Sequence, residues 1–400
     1  MILRLLTVLV IVMGIALAGT RVTAGASASG HVWAWGDNAD GELGNGTITR
    51  YGGLASPVEA TKLTGATAVA GGSFHSLALR SDGTVWAWGS GGWGQLGQGS
   101  YGSSATPIRV PGLSGVTAIA AGDLHSLALK SDGTVWAWGY NIYGQIGNGA
   151  SGDNVLSPTK VRGLSGVVAI SAGPQSDTSY AAKSDGTVWA WGFDGVGDLG
   201  NGTSDDSPHS TPVKVSNLTG VVALGGGTFH ALALRSDGTV WAWGRNDFSQ
   251  LGAKTTSFCS SYPSFPCSTV PIKVSGLSGV TAVAGGGEFS LALKSDGTVW
   301  GWGNNAYGQL ANGNTTPVYG GVKEPTKAHL SSITAIAAGG NHSLALKSDG
   351  VVWGAGANYA GQLGNGTFKD SSNPVRVVTL TGVTGIGAGW SHSLAVVPSS

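Results

Sequence analysis

Five histidines fall at one position of a recurring phrase: His75, His125, His230, His342 and His392, with Thr178 and Phe289 at the remaining two copies. Imidazoles placed by a repeat could ring a metal ion, because neutral imidazole is the commonest protein ligand for one. Such ligands need carboxylates or carbonyls behind them to fix their tautomers. The sequence sets no recurring carboxylate beside them, and Phe289 breaks the series. The expectation is therefore that each histidine turns inside its own unit and bonds to backbone, with no metal. Asp194, Asp198, Asp205 and Asp206 form the densest acidic stretch. Their spacing fits no known calcium loop, so they read as solvated loop acids. No nucleophile–base pair and no paired carboxylates stand out, so no catalytic residue and no cofactor is assigned. Cys259 and Cys267, the only cysteines, bracket a stretch that no other repeat contains. No His lies close enough to complete a metal set, and a disulfide stapling that insertion is expected.

The elements that position these residues are repeats. A phrase close to Thr-Val-Trp-Ala-Trp-Gly ends at Gly36, Gly89, Gly139, Gly192, Gly244, Gly303 and Gly356, with separations of 53, 50, 53, 52, 59 and 53 residues. A second phrase, close to Val-Thr-Ala-Ile-Ala-Ala-Gly-x-x-His-Ser-Leu-Ala-Leu, ends near Leu79, Leu129, Ala182, Leu234, Leu293, Leu346 and Val396. The first phrase opens the chain without its partner and the second closes it without its own. Each orphan supplies what the other lacks, as in a propeller whose chain ends share one blade.

Within one copy, Val116–Ala120, Ser126–Leu129, Thr134–Trp138 and Pro158–Val161 read as four strands, the second and third joined by the hairpin signal Asp132-Gly133. The third strand places Val135 and Ala137 on one face and Trp136 and Trp138 on the other, so both rings are expected to build the core between blades. The fold class is all-β: a seven-bladed β-propeller of about 52-residue repeats spanning 29–400, closed by pairing of its N- and C-terminal strands. Lys or Arg in the hairpin tips (Arg80, Lys130, Lys183, Arg235, Lys294 and Lys347) reads as a solvated rim.

Charged residues make up 10% of the chain, 21 basic against 21 acidic, so nothing draws the protein to a phosphate backbone. Ahead of the repeats, Arg4 precedes an apolar run from Leu5 to Ala18, followed by Ala24-Gly25-Ala26 and Ala26-Ser27-Ala28. This pattern predicts a signal peptide over 1–28, and hence a secreted or extracytoplasmic protein. The 14-residue run is shorter than the roughly 20 residues of a membrane span, so no stable membrane insertion is expected after cleavage. Asn45, Asn201 and Asn365 each open Asn-Gly-Thr, which matches a glycosylation acceptor and equally an ordinary turn.

At the repeat level the residues resemble the regulator-of-chromosome-condensation repeat family. The resemblance rests on Ala-Gly-x-x-His-Ser-Leu-Ala-Leu, Asp-Gly-x-Val-Trp-x-Trp-Gly and Gly-Gln-Leu-Gly-Asn-Gly over about residues 30–397. It implies a seven-bladed propeller. It also implies several functions: nucleotide exchange on a GTPase, light sensing, scaffolding, or inhibition of an enzyme outside the cell. Fold alone does not choose among them; the leader agrees best with the secreted members.

Before each Gly-Gln-Leu-Gly segment the chain carries Asp40, Trp93, Tyr143, Val196, Phe248, Tyr307 or Ala360, with Tyr140, Phe193 and Tyr359 close by. Variable aromatic loops on a rigid scaffold suit protein recognition. The expected function is a secreted, non-enzymatic, monomeric interaction module, binding or inhibitory, that holds a protein partner and no nucleic acid. Trp93, Tyr143, Phe248, Tyr307, Tyr140, Phe193 and Tyr359 are the candidate contacts. The alternatives are an extracellular hydrolase with carboxylates at the propeller axis, and a guanine nucleotide exchange factor if the leader does not function.

Overall fold

The computed structural model describes residues 30–259 and 264–399. The signal-peptide expectation, 1–28, lies outside the described residues. Within them the chain is an all-β propeller of 29 strands with no helix, and so no helix able to cross a membrane. One repeat runs Val116–Ala121, His125–Lys130, Val135–Gly139 and Val155–Lys160 as an antiparallel meander. The second strand takes in His125, and the fourth starts three residues before Pro158, with an irregular register between Val155 and Thr159. The Asp-Gly turn forms as expected. Gly133 takes φ +75°, and Asp132 Oδ1 accepts both the Thr134 amide (3.0 Å) and its hydroxyl (2.6 Å).

Five sheets contain one repeat each, and the Ser257–Cys259 strand adds a fifth strand to one of them. The sixth sheet is eight-stranded. It joins the Ala66–Gly71, His75–Arg80, Val85–Gly89 and Ser104–Arg109 meander to a unit built from both chain ends, through the single bridge Gly30–Ala66. In that shared unit Gly30–Asn38 lies between His392–Pro398 and Thr49–Glu59, with Val32 opposite Val396 and Trp35 opposite Ser393. The complementary orphan phrases do pair.

A second circle of bonds, between the turns that follow the innermost strands, fastens neighbouring units. Trp390 N–H donates to Gly72 O (3.1 Å), Ser73 N–H to Asp123 O (3.2 Å) and Asp123 N–H to Ser176 O (3.0 Å). Thr228 bonds Pro174 O through its hydroxyl (2.8 Å) and Gly286 O through its amide (3.2 Å). Gly287 N–H reaches Gly340 O (3.1 Å), and Gly340 N–H returns to Trp390 O (3.0 Å). The circle closes without a gap.

The paired tryptophans divide in a way that alternation alone does not show. Trp35, Trp88, Trp138, Trp191, Trp243 and Trp302 are fully buried between units, whereas Trp86, Trp136, Trp189, Trp241 and Trp300 are only half-buried. Over each ring of the second set lies a hairpin-tip cation, Arg80, Lys130, Lys183, Arg235 or Lys294, at 5.4–6.0 Å from the centroid. The expectation that both rings build the core holds in part: the second set packs against the core with one side open, and the tip cations are stacked rather than freely solvated. Each such contact contributes about 0.5–1 kcal/mol at an exposed site.

Trp138→Ala should therefore destabilise by about 3–5 kcal/mol through the cavity it opens, and Trp136→Ala by no more than about 1–2 kcal/mol. Chemical denaturation of both variants checks the division; equal losses would contradict it. Ending the chain at Ala388 removes the partner of Gly30–Asn38, and the melting temperature should fall by many degrees or the protein should aggregate. A truncated protein that melts like the parent would refute closure by strand pairing.

Candidate interaction face

In an antiparallel meander the first-to-second and third-to-fourth connections emerge at the same end of the unit. All the exposed large apolar side chains among the described residues lie at that end. Ile48, Trp93, Tyr101, Ile142, Phe258, Tyr307, Val318, Tyr319, Tyr359 and Phe368 are in third-to-fourth connections, and Phe74 is in a first-to-second turn. The opposite end carries the Asp-Gly tips with their stacked cations.

The candidate aromatics separate into two groups. Trp93 (44% exposed), Tyr307 (41%) and Tyr359 (55%) present their rings to solvent. Tyr140, Tyr143, Phe193 and Phe248 are half-buried. Trp93 meets Tyr140 edge-on at 5.2 Å, and Tyr143 meets Phe193 the same way at 5.1 Å, so neighbouring loops are bridged ring to ring. Phe248 lies on Arg245, whose guanidinium also covers Phe229 and stacks 4.1 Å above Phe265. Phe265 belongs to the hairpin that Cys259 and Cys267 close, with Cα atoms 5.7 Å apart. Reading the loops alone missed Arg245, Phe229 and Phe74. Phe74 and Phe229 each precede the repeat histidine, a position whose variation was visible.

The histidines line no metal ring, and they do not stay within their own units. His75 Nε2 reaches Ser126 Oγ of the next unit at 3.0 Å; His125–Ser179, His230–Ser290, His342–Ser393 and His392–Ser76 repeat the contact at 2.9–3.0 Å. Each serine hydroxyl donates to a backbone carbonyl, of Gln95, Gln145, Gln250, Gln362 and Glu42 respectively. Since the hydroxyl proton is committed, Nε2 is the donor and Nδ1 carries the lone pair, which has no partner. The same carbonyls accept the indole N–H of Trp138, Trp191, Trp302, Trp35 and Trp88. Burial pushes four of these histidines down to about 3 and His392 to about 4, so all five are neutral. A Cβ on Gly122 would lie 2.1 Å from the His125 ring, so glycine is required there.

The acidic stretch is not uniformly solvated. Asp205 and Asp206 are exposed, but Asp194 and Asp198 are buried, and neither carboxylate oxygen of Asp198 has a hydrogen-bond partner. Burial raises Asp194 to about 6, Asp177 to about 7 and Glu42 to about 8, and holds Asp198 far above the usual carboxylate range. At the axis, the innermost strands enclose a cavity of about 380 Å³. Val69, Ile119, Ile170, Leu224, Val283 and Ile336 line it with small residues, and no acid, base or imidazole is among the lining side chains.

Two family models cover the propeller between them. The regulator of chromosome condensation (RCC1) repeat matches residues 29–79, 82–129 and 132–176, and the RCC1-like domain matches 167–400. The chain belongs to the RCC1 repeat family. It is 31% identical to the E3 ubiquitin-protein ligase HERC2 of Homo sapiens over 95% of its own length but only 7% of that protein. It is 30% identical to the ultraviolet-B receptor UVR8 of Arabidopsis thaliana over 60% of this chain and 53% of the receptor. This RCC1-repeat chain thus spans about half or less of the curated relatives it matches. Among solved structures it is similar to Prp20p of Saccharomyces cerevisiae (TM-score 0.78, 24% identity, 94% of this chain and 93% of that one). Human WBSCR16 gives a TM-score of 0.79 at 23% identity, over 92% of this chain and 99% of that one. These likenesses show the fold.

In this RCC1-repeat propeller the buried groups set opposing pH dependences. Histidines lowered by burial bind protons only on unfolding, so their contribution is present above about 6.5 and is lost as pH falls below it. Glu42 has the reverse sign: its folded form keeps a proton up to about 8, so stability declines as pH rises from about 4.5 to 8. Glu42→Gln places there the residue of five other copies, Gln95, Gln145, Gln250, Gln309 and Gln362. Its stability advantage should be smallest near pH 5 and should grow by up to about 1.4 kcal/mol per pH unit toward 8. Denaturant melts of parent and variant at pH 5, 6.5 and 8 check this, and a difference independent of pH would contradict it.

Proposed function

We propose that this chain is an exported, non-enzymatic interaction module, a monomer that holds a protein partner at the end carrying the third-to-fourth connections and binds no nucleic acid. The observation that carries the reading is the confinement of every exposed large apolar side chain among the described residues to that one end. Contiguous exposed apolar and aromatic groups on a rigid frame are how docking sites are made. The frame is rigid because two circles of bonds, strand pairing and turn-to-turn, fix the loops relative to one another. The lone Gly30–Ala66 bridge supports counting the eight-stranded sheet as two units, which gives seven blades. The apolar lining of the axis lends nothing to a hydrolase there, which would need convergent carboxylates. Among relatives, Prp20p is described with binding properties toward Gsp1p and histones, and the yeast RCC1 protein in complex with Kap60; both support a protein as the class of partner. Export rests on the Arg4-to-Ala28 pattern and agrees with the Cys259–Cys267 pairing.

The exposed and half-buried aromatics should answer differently to truncation. With the partner captured by the tagged protein from culture supernatant, Trp93→Ala, Tyr307→Ala and Tyr359→Ala should weaken binding, by about 2 kcal/mol wherever one is a hot spot. The Tyr307 and Tyr359 variants should melt as the parent does, whereas Trp93→Ala also breaks the ring contact with Tyr140 and should melt somewhat lower. Tyr143→Ala and Phe193→Ala should lower the melting temperature, because each breaks a ring-to-ring bridge between loops. If the three exposed variants capture the partner as the parent does, the docking face lies elsewhere.

A further inference from the structure

Asp194 stands where one other copy has Gly91 and the remaining five carry asparagine: Asn38, Asn141, Asn246, Asn305 and Asn358. In each of those the side-chain oxygen accepts the amide five residues on, at Leu43, Ile146, Leu251, Leu310 and Leu363. The side-chain nitrogen donates across the loop to the ninth residue on, Thr47, Ala150, Thr255, Asn314 and Thr367. Asp194 keeps the first bond, to Leu199 N–H at 3.0 Å. Its second oxygen cannot donate, and Thr203, the ninth residue on, reverses the polarity by donating its hydroxyl to it at 3.1 Å. The loop therefore needs a planar acceptor at this position, not a charge. A negative charge has nonetheless been put at a site with no solvent exposure.

Two other groups converge on that charge. Asp205 is paired directly across the ladder from Asp194, and the backbone of His209 pairs with Gly192 four residues further along the same strand. His209 Nε2 lies 3.4 Å from Asp205 Oδ1 and 4.0 Å from Asp194 Oδ2, and the three ligand atoms all fall within 4.8 Å of one another. That nitrogen is enclosed and makes no hydrogen bond. Both carboxylates face the His209 ring nitrogen, and because like charges opposed across a ladder repel, a cation held between them would relieve both. A tetrahedral zinc with bonds of about 2.0–2.1 Å holds neighbouring ligand atoms roughly 3.4 Å apart; the Asp205–His209 pair has that spacing at 3.4 Å, and Asp194 Oδ2, 4.0 Å from the imidazole, would have to draw closer.

We propose that Asp194, Asp205 and His209 form a binding site for one divalent transition-metal ion of the zinc type. The imidazole favours zinc-like ions over calcium or magnesium, which take oxygen ligands. The Leu199 amide and the Thr203 hydroxyl orient the Asp194 carboxylate as supporting groups do in metal sites. Exposed Asp205 leaves a way in from solvent and a remaining coordination position for water. The ion would clamp the Asp205–Lys214 strand to Val188–Asp194 where their register is irregular, beside the half-buried ring of Phe193.

The test uses the full mature chain, stripped with chelator and titrated with zinc chloride by calorimetry and thermal melting. One zinc ion per chain and a rise in melting temperature of at least about 3 °C are expected. Asp194→Asn, the residue of five other copies, should cut zinc affinity at least tenfold while melting in chelator at or above the parent's temperature. His209→Gln should also lose affinity at least tenfold, which keeps the test intact if one variant folds poorly. The proposal fails if the parent takes up no zinc, if both variants bind and respond as the parent does, or if calcium stabilises the chain and zinc does not.

Discussion

At six junctions one backbone carbonyl organises the contact between neighbouring units. The Gln95 carbonyl accepts the indole N–H of Trp138 at 2.8 Å and the hydroxyl of Ser126 at 2.9 Å, and Ser126 in turn receives His75. Two side chains thus bond one oxygen directly, and a third, from the neighbouring unit, is tied to it through the serine. Its own side chain is committed as well, since Gln95 Oε1 accepts the Trp93 amide two residues earlier and shapes the loop. Tyr143, Phe248 and Tyr307 are held by the same bond from Gln145, Gln250 and Gln309. The residue that fastens two units therefore also sets the backbone of the loop bearing the aromatic. Core packing and the presentation of the end that carries the exposed aromatics are one constraint. At the joint of the chain ends, Gln362 O receives Trp35 from the first strand and Ser393 from the last.

Much of this was legible in the residues because the repeat displays its own invariants. The Asp-Gly turns, the meander and the pairing of Val32 with Val396 follow from phrase order and strand period alone. The partition of the two tryptophans did not, because alternation puts Trp136 and Trp138 on one face without saying which end of the strand a neighbour covers. The histidine bonds were misread for a similar reason: a repeat shows that a residue recurs, not whether it points into its own unit or the next. At the candidate face, position before the Gly-Gln-Leu-Gly segment located the loops. Exposure was decided by neighbouring loops, as where Tyr143 is half-covered by Phe193 and Tyr359 is left open.

The two ends of the propeller differ because their connections answer to different demands. The Asp-Gly tips are short and repeat almost unchanged; five of the six tie Asp to Thr and set a cation over the half-buried tryptophan. Asp132, Thr134, Lys130 and Trp136 show the unit complete, with the indole N–H on the threonine hydroxyl at 3.2 Å. Val351 replaces that threonine in one copy, and Trp353 Nε1 is left without a partner. The longer connections at the other end need only keep the Gln-type residue and its loop amide in place, so they are free to carry Trp93, Tyr101, Val318 or Tyr319 outward.

Departures from the repeat indicate which groups act together. Where Thr178 replaces the histidine, the facing serine is replaced too, by Ala231, and Tyr180 supplies the missing donor by bonding its hydroxyl to Asp198 O at 3.1 Å beside the indole of Trp243. The carbonyl keeps two donors although the residues providing them have changed. At the junction where Phe289 replaces the histidine, Ala355 stands where the buried tryptophan would be, and Ser343 turns to the Ala355 carbonyl instead. There the apolar bulk of Phe289, fully buried, takes the place of the polar set. Wherever the histidine is kept, its serine and tryptophan are kept with it, and where the histidine is lost at least one of the two is lost too. A buried polar group left with half its partners costs more than a packed apolar replacement, which is why neither junction retains a stranded histidine.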